Sequence, residues 1–561
     1  MAADTYELGP DSMRQEGVPK GTVTKFQWND SKIYPGTIRD YHIYVPAQYD
    51  PKEPACVMIF QDGNGFASEK GRWRAPVVLD NLIHRGELPV MIGVMVQPGV
   101  VPAANKDAQP RFNRSFEYDA MGDRYARFLL EELLPHVAKS YNLKQDGNSR
   151  GILGSSSGAI CAFNAAWERP EEFSRVVSFV GTFVNLRGGH NFPWMIRKME
   201  TKPLRIFMQD GVNDNDLYCG SWWEANRDVL RSLEFSGYEV EHVWGTEGHN
   251  NKHGSAILPQ ALKSVWSGYP NPIPKPKHKG DRFLDIYLDG EDWVKLAGGF
   301  QFTEGPAVDA KGNLFFTDLR ASEIHRVDAK SGKVALFAKD TGKANGLMFG
   351  PDGRLYACAN GRKEIVAYGM DGKYEVVAKG LGSNDLVINS KGDIYVTSPG
   401  EKNVYIIPKG GKPQVVDTGI AKPNGVAFSP DQTVLMVSDT EGAFVYSFRI
   451  KEDGTLTFKQ PYHFLHMPVG GNTSGADGMA MDDQGFLYVT THMGIQVCDQ
   501  PGRVNGIIRK PQNQWVSNIT FGGPEMDVIY VTCGDSVYKR RIKRKGVSSI
   551  AAPIMPPKPR L

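Results

Sequence analysis

The stretch "GILGSSSGAI", residues 151–160, sets three consecutive serines between glycines, where two patterns meet. Before it, "RGIL" reads as a short apolar strand. After it, "AICAFNAAW" carries apolar residues at helical spacing. Gly154-Ser155-Ser156-Ser157-Gly158 fits G-x-S-x-G, the pattern of a sharp strand-to-helix turn that exposes a nucleophilic serine. Small neighbours are needed because bulky ones would clash at the turn. The pattern selects Ser156 and leaves Ser155 and Ser157 as flanking positions. The backbone N–H of Ser157 would form one half of an oxyanion hole. A Gly/Ser helix cap without chemistry would carry the same letters, and the strand-turn-helix setting argues against that reading.

A serine nucleophile needs a base, and in this arrangement the chain order is serine, acid, histidine. The order is met. "RIFMQDGVNDNDL" follows a strand and offers Asp210, Asp214 and Asp216; "HVWGTEGHNNKHG" follows the next and offers His249 and His253. Loops beyond the carboxyl ends of strands are where an open α/β sheet places its site. His242 lies inside the strand pattern and reads as packing. His249 is preferred because Gly248 lets the loop turn tightly before it, with His253 as a polar neighbour.

Further out, the first half of the chain alternates apolar runs ("ACVMIFQ", "VMIGVMV", "RVVSFVG", "LRIFMQ", "YEVEHVW") with helical patterns such as "RYARFLLEELLPHVAKSY". That rhythm predicts a mostly parallel sheet with helices on both faces. It stops at "SGYPNPIPKPKHKG", residues 267–280, which reads as a stiff, exposed linker. The expected division is residues 1–266 (with an extension over 1–20), the linker 267–280, and a second domain over 281–561.

The second domain repeats. "GPAVDAKGNLFFTD", "GLMFGPDGRLYACA", "DLVINSKGDIYVTS", "GVAFSPDQTVLMVS", "GMAMDDQGFLYVTT" and "ITFGGPEMDVIYVT" are each strand, turn, strand. A period near 40 residues made of strands alone predicts an all-β propeller, here with six blades. One place before each inner strand stand Glu304, Asn345, Asn384, Asn424, Asp477 and Asn518, spaced by 41, 39, 40, 53 and 41 residues. Equivalent positions surround a propeller's axis, so six oxygen-bearing side chains are expected around one channel mouth. Carboxylate with amide oxygen is the ligand set of a hard divalent cation. Local turn hydrogen bonds would explain one such residue better than six in register.

Residues 20–266 resemble the esterase family that includes enterochelin esterases, esterase D and carbohydrate esterase family 1 feruloyl esterases. The likeness is carried by "FQDG", "RSFEYD" (114–119), "GSSSG", "DGVND" and "EGHN". It implies an α/β hydrolase fold. It also implies Ser156 as nucleophile, Asp214 as acid with Asp216 as its rival, and His249 as base. The second oxyanion N–H would come from Gly63 or Asn64, and Arg114 and Glu117 would form a supporting pair. Residues 281–546 are similar to the family of senescence marker protein, gluconolactonase and luciferin-regenerating enzyme. "TEGP", "KPNGVAFSPD", "GADGMAMDDQG" and "SNITFGGPEMDVIYVT" carry that likeness. It implies a divalent cation held by Glu304, Asn424 and Asp477, with Asn384 touching metal or substrate. Calcium is the first choice, with zinc, magnesium or manganese as alternatives. Asp477 would also be the base for water attacking a lactone, and His492 is expected to pack.

The 561-residue chain has a net charge of +2, which gives no electrostatic case for nucleic acid. The local run Lys539-Arg540-Arg541 reads as a solvated strand end. Six scattered cysteines form no CxxC pair and predict neither a thiolate metal site nor a disulfide scaffold. No apolar run is long enough to span a membrane. The N-terminus has no signal-peptide pattern, although a chain whose signal had been removed would read the same, so its compartment stays open. The expectation is a serine carboxylic-ester hydrolase fused to a metal-dependent lactonase-like propeller. Its substrate would be a small or polysaccharide-linked ester, such as a feruloyl or acetyl ester, in polysaccharide breakdown. Rival readings are a siderophore trilactone esterase, or an esterase with a non-catalytic binding propeller.

Overall fold

Apolar strands that alternate with helices must bury both faces of their sheet, and the first half of the chain does so. The computed structural model describes residues 6–560; the first five residues of the N-terminal extension and residue 561 lie outside the described residues. The chain divides into two compact units, residues 1–197 with 201–279, and residues 198–200 with 280–561.

The first unit holds eight strands: β1 (Thr22–Trp28), β2 (Arg39–Val45), β3 (Cys56–Gln61), β4 (Met91–Val96), β5 (Arg150–Ser155), β6 (Arg175–Phe179), β7 (Arg205–Gly211) and β8 (Val240–Gly245). Their order in the sheet is β1-β2-β4-β3-β5-β6-β7-β8. β2 runs antiparallel to both β1 and β4, and the rest of the sheet is parallel. This is the α/β hydrolase fold. The six parallel strands are those the apolar runs predict. β1 and β2 escape that reading because β1 is a half-exposed edge whose side chains are mostly polar.

Every residue of β3 and β4 is buried, as a strand covered on both faces requires. Met58, Phe60, Met91, Met95, Leu153, Val177 and Phe207 face one way, into a core completed by helices Ala75–His84 and Leu258–Trp266. Burying one such side chain is worth roughly 1.5–3 kcal/mol. Four short or central helices position the site: α1 (Gly63–Ala67), α2 (Arg114–Tyr118), α3 (Ser157–Glu168) and α4 (Trp222–Phe235). α3 lies against β5 and β6 and packs on α2. The long helix predicted before Tyr141 forms over residues 124–137, with a π-helical stretch at Phe128–Leu133. His242, expected to pack, is instead exposed, because β8 is an edge strand; its ring sits 5.0 Å from Trp244 on the same face. Residues 267–279 group with the first unit, and His278 in this stretch is 6% exposed, so the stretch is not solvated throughout.

The second unit is a six-bladed propeller built from six four-stranded sheets. Five blades are sequential antiparallel meanders. The last joins Val516–Gly522, Val528–Cys533 and Ser536–Arg541 to the early strand Val294–Gly298, which pairs with Ser536–Arg541 and closes the ring. An early strand thus completes the last blade, and the blades are left with short edges. The 53-residue spacing from Asn424 to Asp477 comes from the fourth blade's long outer hairpin, Phe444–Ile450 and Leu456–Phe464, and from the long connection 465–478 that follows it. Arg540, expected to be solvated, is 2% exposed and lies 4.8 Å from the Tyr287 ring centre, while its flanking residue Arg541 is exposed. Strand alternation turns one member of the basic run inward. All six cysteines are free.

Candidate functional site

At the end of β5 the backbone of Ser156 takes φ 61° and ψ −124°, a strained conformation for a non-glycine residue. Gly154 makes the turn feasible, because a Cβ there would run into the Gly158 carbonyl. Gly158 is confined by other neighbours: a Cβ there would lie 3.0 Å from Gln61 Cβ and 3.1 Å from Asp62 Oδ2. Ser156 precedes the first turn of α3, so the Ser157 N–H belongs to the helix end whose donors have no intrahelical partner.

His249 Nε2 lies 2.7 Å from Ser156 Oγ, and His249 Nδ1 lies 2.6 Å from Asp214 Oδ1. With its proton on Nδ1, His249 donates to Asp214 and accepts from the Ser156 hydroxyl. The Asp214 side chain is fully buried, while that of His249 is 20% exposed. Burial pushes the Asp214 carboxyl up, but hydrogen bonds from His249 and from its neighbours outweigh it and hold the group below the ordinary carboxylate range. Asp216, the rival acid, is exposed in a small hairpin with Ser221. His253 is buried instead, with its Nδ1 3.2 Å from Gln209 Nε2 and its ring stacked on Tyr6.

Three features of this site are not legible in the motifs. Thr182 Oγ1 is 3.3 Å from Ser156 Oγ and accepts from the Trp222 indole N–H at 3.1 Å. Arg114 makes a two-pronged ion pair with Asp62, at 2.9 and 2.8 Å, and Asp62 has φ 56° immediately before Gly63 and α1. Arg114 and Glu117 are therefore not partners. Glu117 pairs at 2.6 Å with Arg39, and both side chains are fully buried. Gly63 packs so closely on β4 that a Cβ would strike the Met95 backbone, which holds its N–H at a fixed position. Each of these contacts joins residues far apart in the chain, and only the fold brings them together.

In the propeller, Glu304, Asn345, Asp385, Asn424, Asp477 and Asn518 are each 4–7% exposed. Asn384 is half-buried, and its neighbour Asp385 occupies the ring position. The backbone ladder does not shift: the Asn384 N–H donates to the Thr397 carbonyl at 2.9 Å, as the Asp477 N–H does to Thr490 at 3.0 Å, and it is the side chain of the next residue, Asp385, that is buried. Asp385 Oδ1 accepts from the Leu386 N–H at 2.9 Å, as Asn518 Oδ1 does from Ile519 at 2.8 Å and Glu304 Oε2 from Gly305 at 3.0 Å. Trp515 Nε1 donates to Asp477 Oδ2 at 2.7 Å, and Asn424 Nδ2 donates to Thr440 Oγ1 at 2.9 Å. His492, expected to pack, is exposed and meets the Trp515 ring edge-on at 4.9 Å.

The donor set fits a cation. Burial first, then repulsion by Asp477 and Asp385, pushes the Glu304 carboxyl well up. Burial likewise raises Asp477 to about 7 and Asp385 to about 6. The amide oxygens of Asn345 and Asn424 are buried without a hydrogen-bond donor. Positive charge would relieve both features. Among the described residues, no three His, Cys, Asp or Glu side chains are grouped closely enough to hold an ion by themselves, so amide oxygens would have to contribute.

Residues 34–265 match the family model described as putative esterase, and residues 302–535 match the model described as SMP-30/gluconolactonase/LRE-like region. The chain is 26% identical over 309 residues to a gluconolactonase of Zymomonas mobilis, covering 47% of this chain and 85% of that protein. It is 24% identical over 221 residues to an iron(III) enterobactin esterase of Escherichia coli, covering 38% of this chain and 50% of that protein. It is 23% identical over 228 residues to an endo-1,4-beta-xylanase/feruloyl esterase of Xylanibacter ruminicola, covering 38% of this chain and 27% of that protein. The chain thus joins an esterase-family half to a half of the SMP-30/gluconolactonase/LRE-like family.

Proposed function

We propose that the first unit is a serine carboxylic-ester hydrolase. The observation that carries this reading is the run of contacts from Ser156 Oγ through His249 to Asp214, at 2.7 and 2.6 Å. Ser156 Oγ attacks the ester carbonyl carbon while its proton passes to His249 Nε2. Asp214 holds the imidazole in the required tautomer and stabilises the imidazolium. The tetrahedral oxyanion is received by the backbone N–H groups of Ser157 and Gly63. His249 returns its proton to the leaving alcohol, and then takes one from the water that cleaves the acyl-enzyme.

The second unit is proposed to open lactones with the help of a divalent cation. Glu304, Asn424 and Asp477 would hold it, with Asp385 in the role that the family resemblance gave to Asn384. An all-oxygen set suits calcium. When bound, the cation would polarise a lactone carbonyl. Asp477 would take the proton of the attacking water, with its other oxygen fixed by the Trp515 indole. Both units then hydrolyse acyl carbon–oxygen bonds. Similarity to the xylanase/feruloyl esterase supports an ester on plant polysaccharide, and similarity to the enterobactin esterase supports a siderophore trilactone.

The test is hydrolysis of p-nitrophenyl acetate, methyl ferulate, a catecholate trilactone and glucono-δ-lactone by the wild type, Ser156→Ala and Asp477→Ala, each with and without EDTA. The expected result is cleavage of the esters or of the trilactone lost only in Ser156→Ala, and glucono-δ-lactone cleavage lost in Asp477→Ala and with EDTA. Ester cleavage unchanged in Ser156→Ala would reject the first assignment. EDTA-insensitive glucono-δ-lactone cleavage would reject the second.

A further inference from the structure

The turn that carries Asp214 starts from a second buried acid. Asp210, near the end of β7, is 0% exposed, and the Asp214 N–H donates to the Gly211 carbonyl at 2.9 Å to close the turn between them. One oxygen of each carboxyl is occupied. Asp210 Oδ1 accepts from the Gly211 N–H at 2.7 Å, and Asp214 Oδ1 takes both His249 Nδ1 and the Asn215 N–H at 2.6 Å. The other oxygens, Asp210 Oδ2 and Asp214 Oδ2, are buried at the two ends of this one tight turn and meet no donor. Two ionised carboxylates are both acceptors, and leaving both oxygens buried without a donor is costly; a proton on one of the two acids lets it donate to the other.

Asp214 faces His249 and keeps its charge, so the proton belongs to Asp210. Burial, with Asp214 as its neighbour, pushes the Asp210 carboxyl up to about 9. Asn226 approaches Asp210 from α4, but its amide nitrogen is committed to the Gly181 and Trp222 carbonyls at 2.8 and 3.0 Å. We propose that Asp210 is a neutral carboxylic acid that donates its proton to Asp214 Oδ2, and is thereby a positioning residue for the Ser156–His249–Asp214 array. The donated bond fixes the Asp214 rotamer so that Oδ1 meets His249. It also keeps a single negative charge on the pair; a second would hold a proton on His249 and disarm it as a base. This role presupposes the esterase reading of Ser156.

The test uses the full chain with p-nitrophenyl acetate and compares wild type, Ser156→Ala, Asp210→Asn and Asp210→Ala, with thermal melting of each. Asp210→Asn supplies an amide N–H in place of the acid proton, and its kcat should stay within about threefold of wild type. Asp210→Ala removes the donor and should lower kcat by roughly 10- to 100-fold with KM little changed. If Asp210→Ala fails to fold, Asp210→Val, which keeps more of the volume without a donor, takes its place. A large kcat loss in a folded Asp210→Asn, or none in the donor-free variant, would overturn the role of Asp210 and leave the esterase reading standing. Retained activity in Ser156→Ala would overturn both.

Discussion

Asn518 Nδ2 donates to Asp385 Oδ2 at 3.2 Å, joining the third and sixth blades of a closed six-bladed ring across its axis. The bond puts Asp385, not Asn384, among the side chains that meet at the channel mouth. Calcium added to the metal-free protein should therefore raise the melting temperature of wild type and of Asn384→Ala by about 5 °C or more at concentrations far above Kd. Asp385→Ala should lose most of that shift. Equal responses in the two variants, read by thermal melting against calcium concentration, would remove Asp385 from the cation site.

The acid of the esterase site can be told from its neighbour by substitution. Asp214→Asn leaves a hydrogen-bonding side chain beside His249 but favours the wrong imidazole tautomer, so kcat should fall by roughly 10³- to 10⁴-fold. Asp216 is exposed in the hairpin that follows, and Asp216→Asn should stay within about twofold of wild type. Steady-state kinetics on p-nitrophenyl acetate decides the matter. A collapse in Asp216→Asn alone would reassign the acid.

The sequence made the serine, the histidine and both folds legible because each is written locally. A glycine-flanked turn, a strand period and a repeat near 40 residues need no knowledge of distant contacts. The repeat placed Glu304, Asn424 and Asp477 around one axis with three other residues, and only the family resemblance singled them out as cation holders. In the third blade the side chain buried against Asn518 is Asp385, where four of the other repeats have a glycine, so the repeat by itself drew attention to Asn384. The pairing of Arg114 was misread because its partner Asp62 lies 52 residues away on another strand-end loop. Asp210 was visible as a candidate acid, but its relation to Asp214 depends on burial, which the letters "QDGVND" do not carry.

The motif glycine at 154 yields a stability prediction separate from chemistry. A methyl group there would press into the backbone carbonyl of Gly158, which cannot give way as a flexible side chain would. Gly154→Ala should destabilise the first unit by about 2 kcal/mol or more, in the range of overpacked cores. Melting of the first unit should drop, while the calcium response of the propeller is retained. An unchanged melting temperature would mean that α3 can move away from β5 at little cost.

Asp210 gives stability a defined pH dependence. Burial raises its carboxyl from the ordinary value of 3.8 to about 9. Between these limits the folded protein keeps a proton that the unfolded chain releases, so stability falls as pH rises through that window. Asp210→Asn cannot ionise and loses this term. The melting temperature of Asp210→Asn minus that of wild type should therefore increase steadily from pH 4 towards pH 9 and level off above it. Melting in matched buffers across this range is the measurement. A difference that stays flat, or that shrinks as pH rises, would mean that Asp210 is ionised in the folded protein and that the proton between the two carboxyl groups is absent.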